Sequence, residues 1–268
     1  MGLAFILKRS ARGETLGVHV ANHHPRATQL NRAAKLLKLV SNRHYRTALV
    51  SHGCAAAVEH SSVLRMADYR TVVDIGANRG QFALATRQCL PRAQVVSFEP
   101  LQDAADRFNG ALGQDPRVTL HVAAIGDDSG QALIHISKKD HSSSLLPITA
   151  VQQRLFRGTA ERGTTTVRVG RLSEFMSADE VEQPAMLKLD VQGYEIEALK
   201  GCEEFLPHFA TILVEGSFME LYEGQPMADE LVSWLLEQRF RFSGVYNPLY
   251  DGIGRAIQAD FLFGNLGS

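Results

Sequence analysis

From residue 71 onward the chain repeats one pattern: a short apolar run that ends on an acid, then a stretch whose apolar positions recur every three or four residues. Thr71 to Val73 ends on Asp74, Val95 to Phe98 on Glu99, Ala185 to Leu189 on Asp190, and Thr211 to Val214 on Glu215. Short, nearly continuous apolar runs suit strands of a parallel sheet that is covered on both faces. The stretches between them read as helices. One carries Leu101, Ala104, Ala105, Phe108 and Leu112 on a single side, one runs from Tyr194 to a C-terminal cap at Gly201, and one carries Leu231, Trp234 and Leu235. Alternation at Val118, Leu120 and Val122 predicts a half-buried strand, and the turn Asp127 to Gly130 leads into another at Ala132 to Ile136. Thr164 to Val169 reads as a further strand, and Ala124 to Gly126 as one at a sheet edge. Near the end, strands at Phe242 to Tyr246 and Ala259 to Phe263 flank Asn247-Pro248 and Asp251-Gly252, turn chemistry that allows a hairpin return. The pattern predicts an α/β fold with about seven core strands, mostly parallel, helices on both faces and a C-terminal antiparallel hairpin.

The chemistry concentrates where the first strand turns into its helix. A parallel strand delivers its last residue to the sheet edge where ligands bind, and Gly76 and Gly80 supply a turn through which backbone can approach a bound molecule. In the dinucleotide fingerprint G-x-G-x-x-G, the second glycine admits a pyrophosphate and the third lets the helix pack closely. Asn78 and Gln81 hold those two places here. Asp74 would repel a phosphate and suit an ammonium group. S-adenosylmethionine has an ammonium and no pyrophosphate. Glu99 ends the next strand as an acceptor for both hydroxyls of a ribose, which serves S-adenosylmethionine and NAD alike. Each of these residues alone could be an ordinary turn or strand end; the four together point to a nucleoside. The expected cofactor contacts are Asp74, Gly76, Asn78, Gly80, Glu99 and Pro100, with the small segment at Ala124 and Ile125 beside an adenine ring. The strand-end acids Asp74, Glu99, Asp190 and Glu215 are expected around one pocket.

Composition sets bounds on the rest. At 268 residues, 45% hydrophobic and a formal charge of −1, the chain suffices for one full α/β domain plus an extension, but not a second large domain. No apolar run approaches the length of a membrane span, and a signal-peptide pattern is missing at the start, so a soluble cytoplasmic protein is expected. Cys54, Cys89 and Cys202 are few and scattered, as core residues rather than a disulfide framework or zinc site. Charge is uneven. Residues 1–57 carry nine Lys/Arg against Glu14 alone, a net of +8, which leaves −9 on residues 58–268. The first part is read as a basic helical extension, with Leu30, Ala33, Leu37 and Val40 as an apolar stripe and Arg26, Arg32, Lys35, Lys38, Arg43 and Arg46 as a basic face. Such a helix could pack on its own acidic domain or in a homodimer, contact an anionic lipid-linked substrate, or, least in keeping with its lack of aromatics, bind nucleic acid.

The motifs V-V-D-I-G-A-N-R-G, S-F-E-P, S-S-S-L-L at Ser142 to Leu146 and L-K-L-D-V-Q-G-Y-E-I-E-A-L-K-G, taken in order, resemble the FkbM family of S-adenosylmethionine-dependent methyltransferases. The resemblance extends through Leu213 to Gly224 and Gln258 to Phe263, roughly residues 50–263. It implies a Rossmann-like methyltransferase fold and methyl transfer to oxygen, commonly a sugar or polyketide hydroxyl, with Asp74, Gly76, Asn78 and Glu99 at the cofactor. Gln192 stands where the family's usual form has an acid. A sugar hydroxyl is a poor nucleophile until its proton is accepted. Asp190 is the first candidate base, with His141 and Glu215 behind it. Asp190 could instead orient the methionine ammonium, or join Glu215 in holding a divalent cation such as magnesium, and the sequence leaves the metal open. The competing readings are a non-catalytic S-adenosylmethionine-binding module, an NAD-dependent oxidoreductase and a nucleic-acid methyltransferase. For the last, Asn247-Pro248-Leu249-Tyr250 superficially suggests an N-P-P-Y box but is misplaced, so a turn is the better reading and no nucleic-acid partner is expected.

Overall fold

A computed structural model describes residues 39–267 together with Lys35 and Leu37. Helices Arg43–His52 (α1) and Ser61–Leu64 (α2) precede strand Thr71–Ile75 (β1). Gln81–Cys89 (α3), Gln94–Phe98 (β2), Gln102–Leu112 (α4) and Val118–His121 (β3) follow. Ala124–Ile125 (β4), Gly130–Ser137 (β5), Ala150–Leu155 (α5) and Glu161–Gly170 (β6) come before Ala185–Leu189 (β7) and Glu195–Gly201 (α6). The chain then runs through Phe209–Ser217 (β8), Ala228–Glu237 (α7), Phe240–Tyr250 (β9) and Ala256–Asn265 (β10).

Every residue of β1 and β7 is buried, as central strands with both faces covered require. They form the middle of a seven-stranded sheet in the order β3-β2-β1-β7-β8-β10-β9. The first five of these strands are parallel, while β10 runs antiparallel to both β8 and β9, which closes the sheet with the expected hairpin. Val73, Ile75, Leu187 and Leu189 point to one face, where they join Leu199, Phe205, Leu231 and Leu235 in the largest core cluster. On the opposite face, Val72 and Met186 pack with Phe82 of α3, and Val95 packs with Phe108 and Leu112 of α4. Strands β4, β6 and β5 form a separate three-stranded sheet with β4 at its edge.

Four local expectations change. Gly201 lies inside α6, which ends at Cys202 without a left-handed cap; a Cβ on Gly201 would stand 2.4 Å from the Gly126 carbonyl oxygen, so close approach to β4 explains the glycine. Glu215 sits within β8 rather than at its end, because β10 pairs alongside and aligns Asp260 with it. Asn247 and Pro248 lie in β9, not in the turn; β9 is an edge strand with register shifts, a setting where proline is tolerated. Leu37 and Val40 of the expected stripe are 68% and 43% exposed, whereas Leu39, Tyr45 and Ala48 are buried against Ala83 and Leu112. Leu30, Ala33, Arg26, Arg32 and Lys38 lie outside the described residues. Among those described, no helix is long and apolar enough to cross a membrane.

Candidate active site

Two cavities share a wall just beyond the C-terminal end of β7, the larger of them extending across the ends of β1 and β2. The larger, about 510 Å³, is lined by Gly76, Asn78, Glu99, Pro100, Ala124 and Ile125, six of the eight residues expected at a cofactor. The smaller, about 240 Å³, is lined by Glu215, Gln152, Gln258 and Lys139. Asp190, Gln192 and His141 line both. The four strand-end acids thus do not ring one pocket. Glu99 and Asp190 serve the larger cavity, Asp190 and Glu215 the smaller, and Asp74 neither.

Asp74 is fully buried beneath the site, and its Oδ1 lies 3.1 Å from the ammonium of Lys188. The two residues are register partners on β1 and β7, so their side chains leave the same face of the sheet. The ammonium that Asp74 was expected to attract is therefore supplied by the protein. Burial alone would pull Lys188 down, but the carboxylates of Asp74, Asp190 and Asp260 outweigh it and hold the lysine charged. Lys188 also reaches to 3.8 Å from Asp190 Oδ2. Gly80 is likewise behind the cavity. It caps the start of α3 at φ 88, and a Cβ there would meet Leu112 and Phe108 at 2.9 Å. Gly76, at φ 80, leaves room for backbone rather than for a ligand alone, since its Cβ would fall 1.9 Å from the Asp190 carbonyl oxygen.

Glu99 accepts the Asn78 amide at 2.9 Å on Oε2 and the Leu101 amide at 2.8 Å on Oε1. Each oxygen keeps a lone pair for a further donor. Burial raises this carboxyl to about 7, against the counter-effect of the two amides. Pro100, Ala124 and Ile125 add an apolar surface beside it.

At the shared wall, Gln192 has a left-handed backbone, φ 57, unusual for a residue with a side chain. Its Nε2 donates to Asp190 Oδ1 at 2.8 Å and to Glu215 Oε2 at 3.0 Å, and its Oε1 accepts from the Tyr222 hydroxyl at 2.6 Å. The amide therefore ties two carboxylates together with both of its hydrogens, which a glutamate could not do. Glu215 also accepts from Gln258. Its burial, then the charges of Asp190, Asp260 and Glu195, push it well above the carboxylate range. The Asp190 side chain remains 42% exposed. His141 is exposed on a turn of 3-10 helix, Asp140–Ser142. No cluster of three or more His, Cys, Asp and Glu suited to a metal occurs among the described residues.

A family model described as the methyltransferase FkbM domain matches residues 74–242, which begin at the buried acid of β1 and reach into β9. The chain belongs to the FkbM methyltransferase family. Relatives similar to it include the 2-O-methyltransferase NoeI of Sinorhizobium fredii, 31% identical over 58% of this chain and 66% of that protein. The hexuronic acid methyltransferase AglP of Haloferax volcanii is 29% identical over 53% of this chain and 54% of that protein. The chain thus spans about half to two thirds of these relatives' lengths. Among solved structures, cofactor-bound Rv0187 from MTB shares the fold at a TM-score of 0.51 and 12% identity, covering 90% of this chain and 97% of that one.

In this FkbM chain, reading from sequence missed Lys188, Gln192 as a bridge, and Glu195. Lys188 left a signal, as a lone charge inside the apolar run Ala185 to Leu189. Glu195, buried at the start of α6, accepts from the Gly193 amide at 2.9 Å, and burial raises it to about 7.

Proposed function

We propose that this chain transfers a methyl group from S-adenosylmethionine to a hydroxyl oxygen of a small-molecule or glycosyl acceptor. The observation that carries the reading is that Asp190 is the one carboxylate, among the described residues, lining both cavities. The larger cavity has the size and mixed lining of a small-molecule site. The free lone pairs of Glu99 would take the ribose hydroxyls, and Pro100, Ala124 and Ile125 would face the adenine. When bound, the cofactor supplies a sulfonium-activated methyl group. The chain's part is to hold the acceptor in line and to receive its proton.

Asp190 is placed for that proton. Gln192 fixes its Oδ1, and Lys188 balances its charge from the other side. Glu215 keeps its own proton through burial and leaves the role to Asp190. A cation shared by Asp190 and Glu215 would have to displace the Gln192 amide from between them. The activities for which NoeI and AglP are named, 2-O-methylation and methylation of a hexuronic acid, support oxygen as the target atom and a sugar as the acceptor class. The nucleic-acid reading loses its motif, since Asn247 to Tyr250 lie in the edge strand β9.

Asp190→Asn tests this assignment. Methyl transfer should fall by roughly 10²- to 10⁴-fold, the usual contribution of a positioned base, while S-adenosylmethionine affinity stays within a few-fold of wild type. Near-normal turnover of the variant would remove Asp190 from the mechanism.

A further inference from the structure

In the wall of the smaller cavity the fold leaves a buried polar group without a partner. Gln152, on α5, is only 3% exposed and lines this cavity, yet its Oε1 has no hydrogen-bond partner among the described residues. Its Nε2 is used, donating to the Tyr222 hydroxyl oxygen at 3.2 Å. Turning the amide over would not remove the deficit. The oxygen would then face Tyr222, whose single hydrogen is directed to Gln192 Oε1 at 2.6 Å, and the amide nitrogen would be stranded instead. An unpaired buried acceptor costs stability that an apolar residue of similar shape would avoid. Its presence is explained if a ligand completes it.

The surroundings indicate which kind of ligand. Gln152 is joined through Tyr222 to Gln192, and through Gln192 to Asp190 and Glu215, so the orphan oxygen and the proposed base belong to one hydrogen-bonded chain. Thr159 and Gln258 add polar groups to the cavity wall, and Phe156 and Leu249 add apolar surface. A wall that mixes polar groups with carbon surface matches a sugar ring, which presents hydroxyls at its edge and C–H groups on its faces.

Resting on the methyltransferase reading above, we infer that the smaller cavity is the acceptor subsite and that Gln152 is a substrate-binding residue in it, its Oε1 accepting a hydrogen bond from a glycosyl hydroxyl near the one that is methylated. The acceptor is thus a polyol ring rather than a flat phenol or an aliphatic alcohol. Asp190 removes the proton from one hydroxyl, while Gln152 holds another and sets which position faces the methyl donor.

The test uses the full chain with S-adenosylmethionine and a panel of methyl glycosides of neutral hexoses and hexuronates, with a simple phenol and an alkanol for comparison. Wild type should methylate a glycoside. Gln152→Leu should raise the KM for that glycoside by roughly tenfold or more, as expected for losing a hydrogen bond to a buried group, with a smaller change in kcat. Removing the contacted hydroxyl, in the matching deoxy-glycoside, should weaken wild type but make no further difference to Gln152→Leu. Gln152→Leu should also melt no lower than wild type without ligands, since the orphan acceptor is gone; a lower melting temperature with an unchanged KM would make Gln152 a structural residue and overturn the inference. Methylation of the phenol or alkanol but of no glycoside would overturn the substrate class. Equal KM values in the two proteins, with Asp190 still required, would sink this inference and leave the reading of the larger cavity standing. Failure of S-adenosylmethionine itself to bind would bring down both.

Discussion

Glu99 and Glu195 are buried acids whose charge costs the fold something, and that cost depends on pH. Burial raises each from 4.5 to about 7, so the folded chain holds these protons more tightly than the unfolded chain does. The stability they contribute is complete below about 4.5 and is lost as pH rises through about 7. Each shift corresponds to something on the order of 3 kcal/mol. Glu195→Gln separates this effect from Glu99, and an amide oxygen can still accept the Gly193 amide. Denaturation of wild type and variant across that range should show the variant gaining relative stability as pH increases; parallel curves would mean that Glu195 is not held protonated. At this scale the sequence was legible where a residue's neighbours along the chain decide its fate. Glu99 follows its strand directly and meets the Asn78 and Leu101 amides as a strand-end acid can. Gln192 was opaque, because its meaning lies in Asp190, Glu215 and Tyr222, and only the fold brings Glu215 and Tyr222 to it.

Between elements, the pairing of β1 with β7 governs the floor of the site. Asp74 and Lys188 stand opposite each other in that parallel register, with the ammonium 3.1 Å from the carboxylate and 5.6 Å above the Phe82 ring of α3. A buried pair of this kind adds little net stability, yet removing one partner leaves a charge stranded. Lys188→Met should therefore cost roughly 3–5 kcal/mol in chemical denaturation, and adding Asp74→Leu should recover most of it. A small loss in the single variant would show that Asp74 tolerates isolation. Asp74 and Lys188 were each visible in sequence, but strand order and register are long-range facts, so an acid placed for a ligand's ammonium proved to face the protein's own. Local apolar periodicity carried the elements themselves well, from α4 with its buried Ala104, Ala105, Phe108 and Leu112 to the closing hairpin. It failed where contact with another element sets the residue, as at Gly201 beside Gly126.

In the molecule as a whole, a parallel sheet gathers the ends of β1, β2 and β7 at one edge, and the segment after β5 together with the α5 region builds a second cavity against β8, β9 and β10. The first cavity was legible because its residues follow their strands in sequence. The second was not, because Lys139, Gln152, Gln258 and Glu215 come from four separate segments. The division into a larger nucleoside site and a smaller acceptor site, joined at Asp190, is the claim on which the mechanism depends. Isothermal calorimetry of the full chain with S-adenosylmethionine and, separately, NAD tests its foundation most directly. One S-adenosylmethionine should bind per chain, NAD should give no heat, and Glu99→Ala should lower the S-adenosylmethionine affinity roughly tenfold or more. Binding of NAD in its place, or S-adenosylmethionine binding that ignores the loss of Glu99, would contradict that claim.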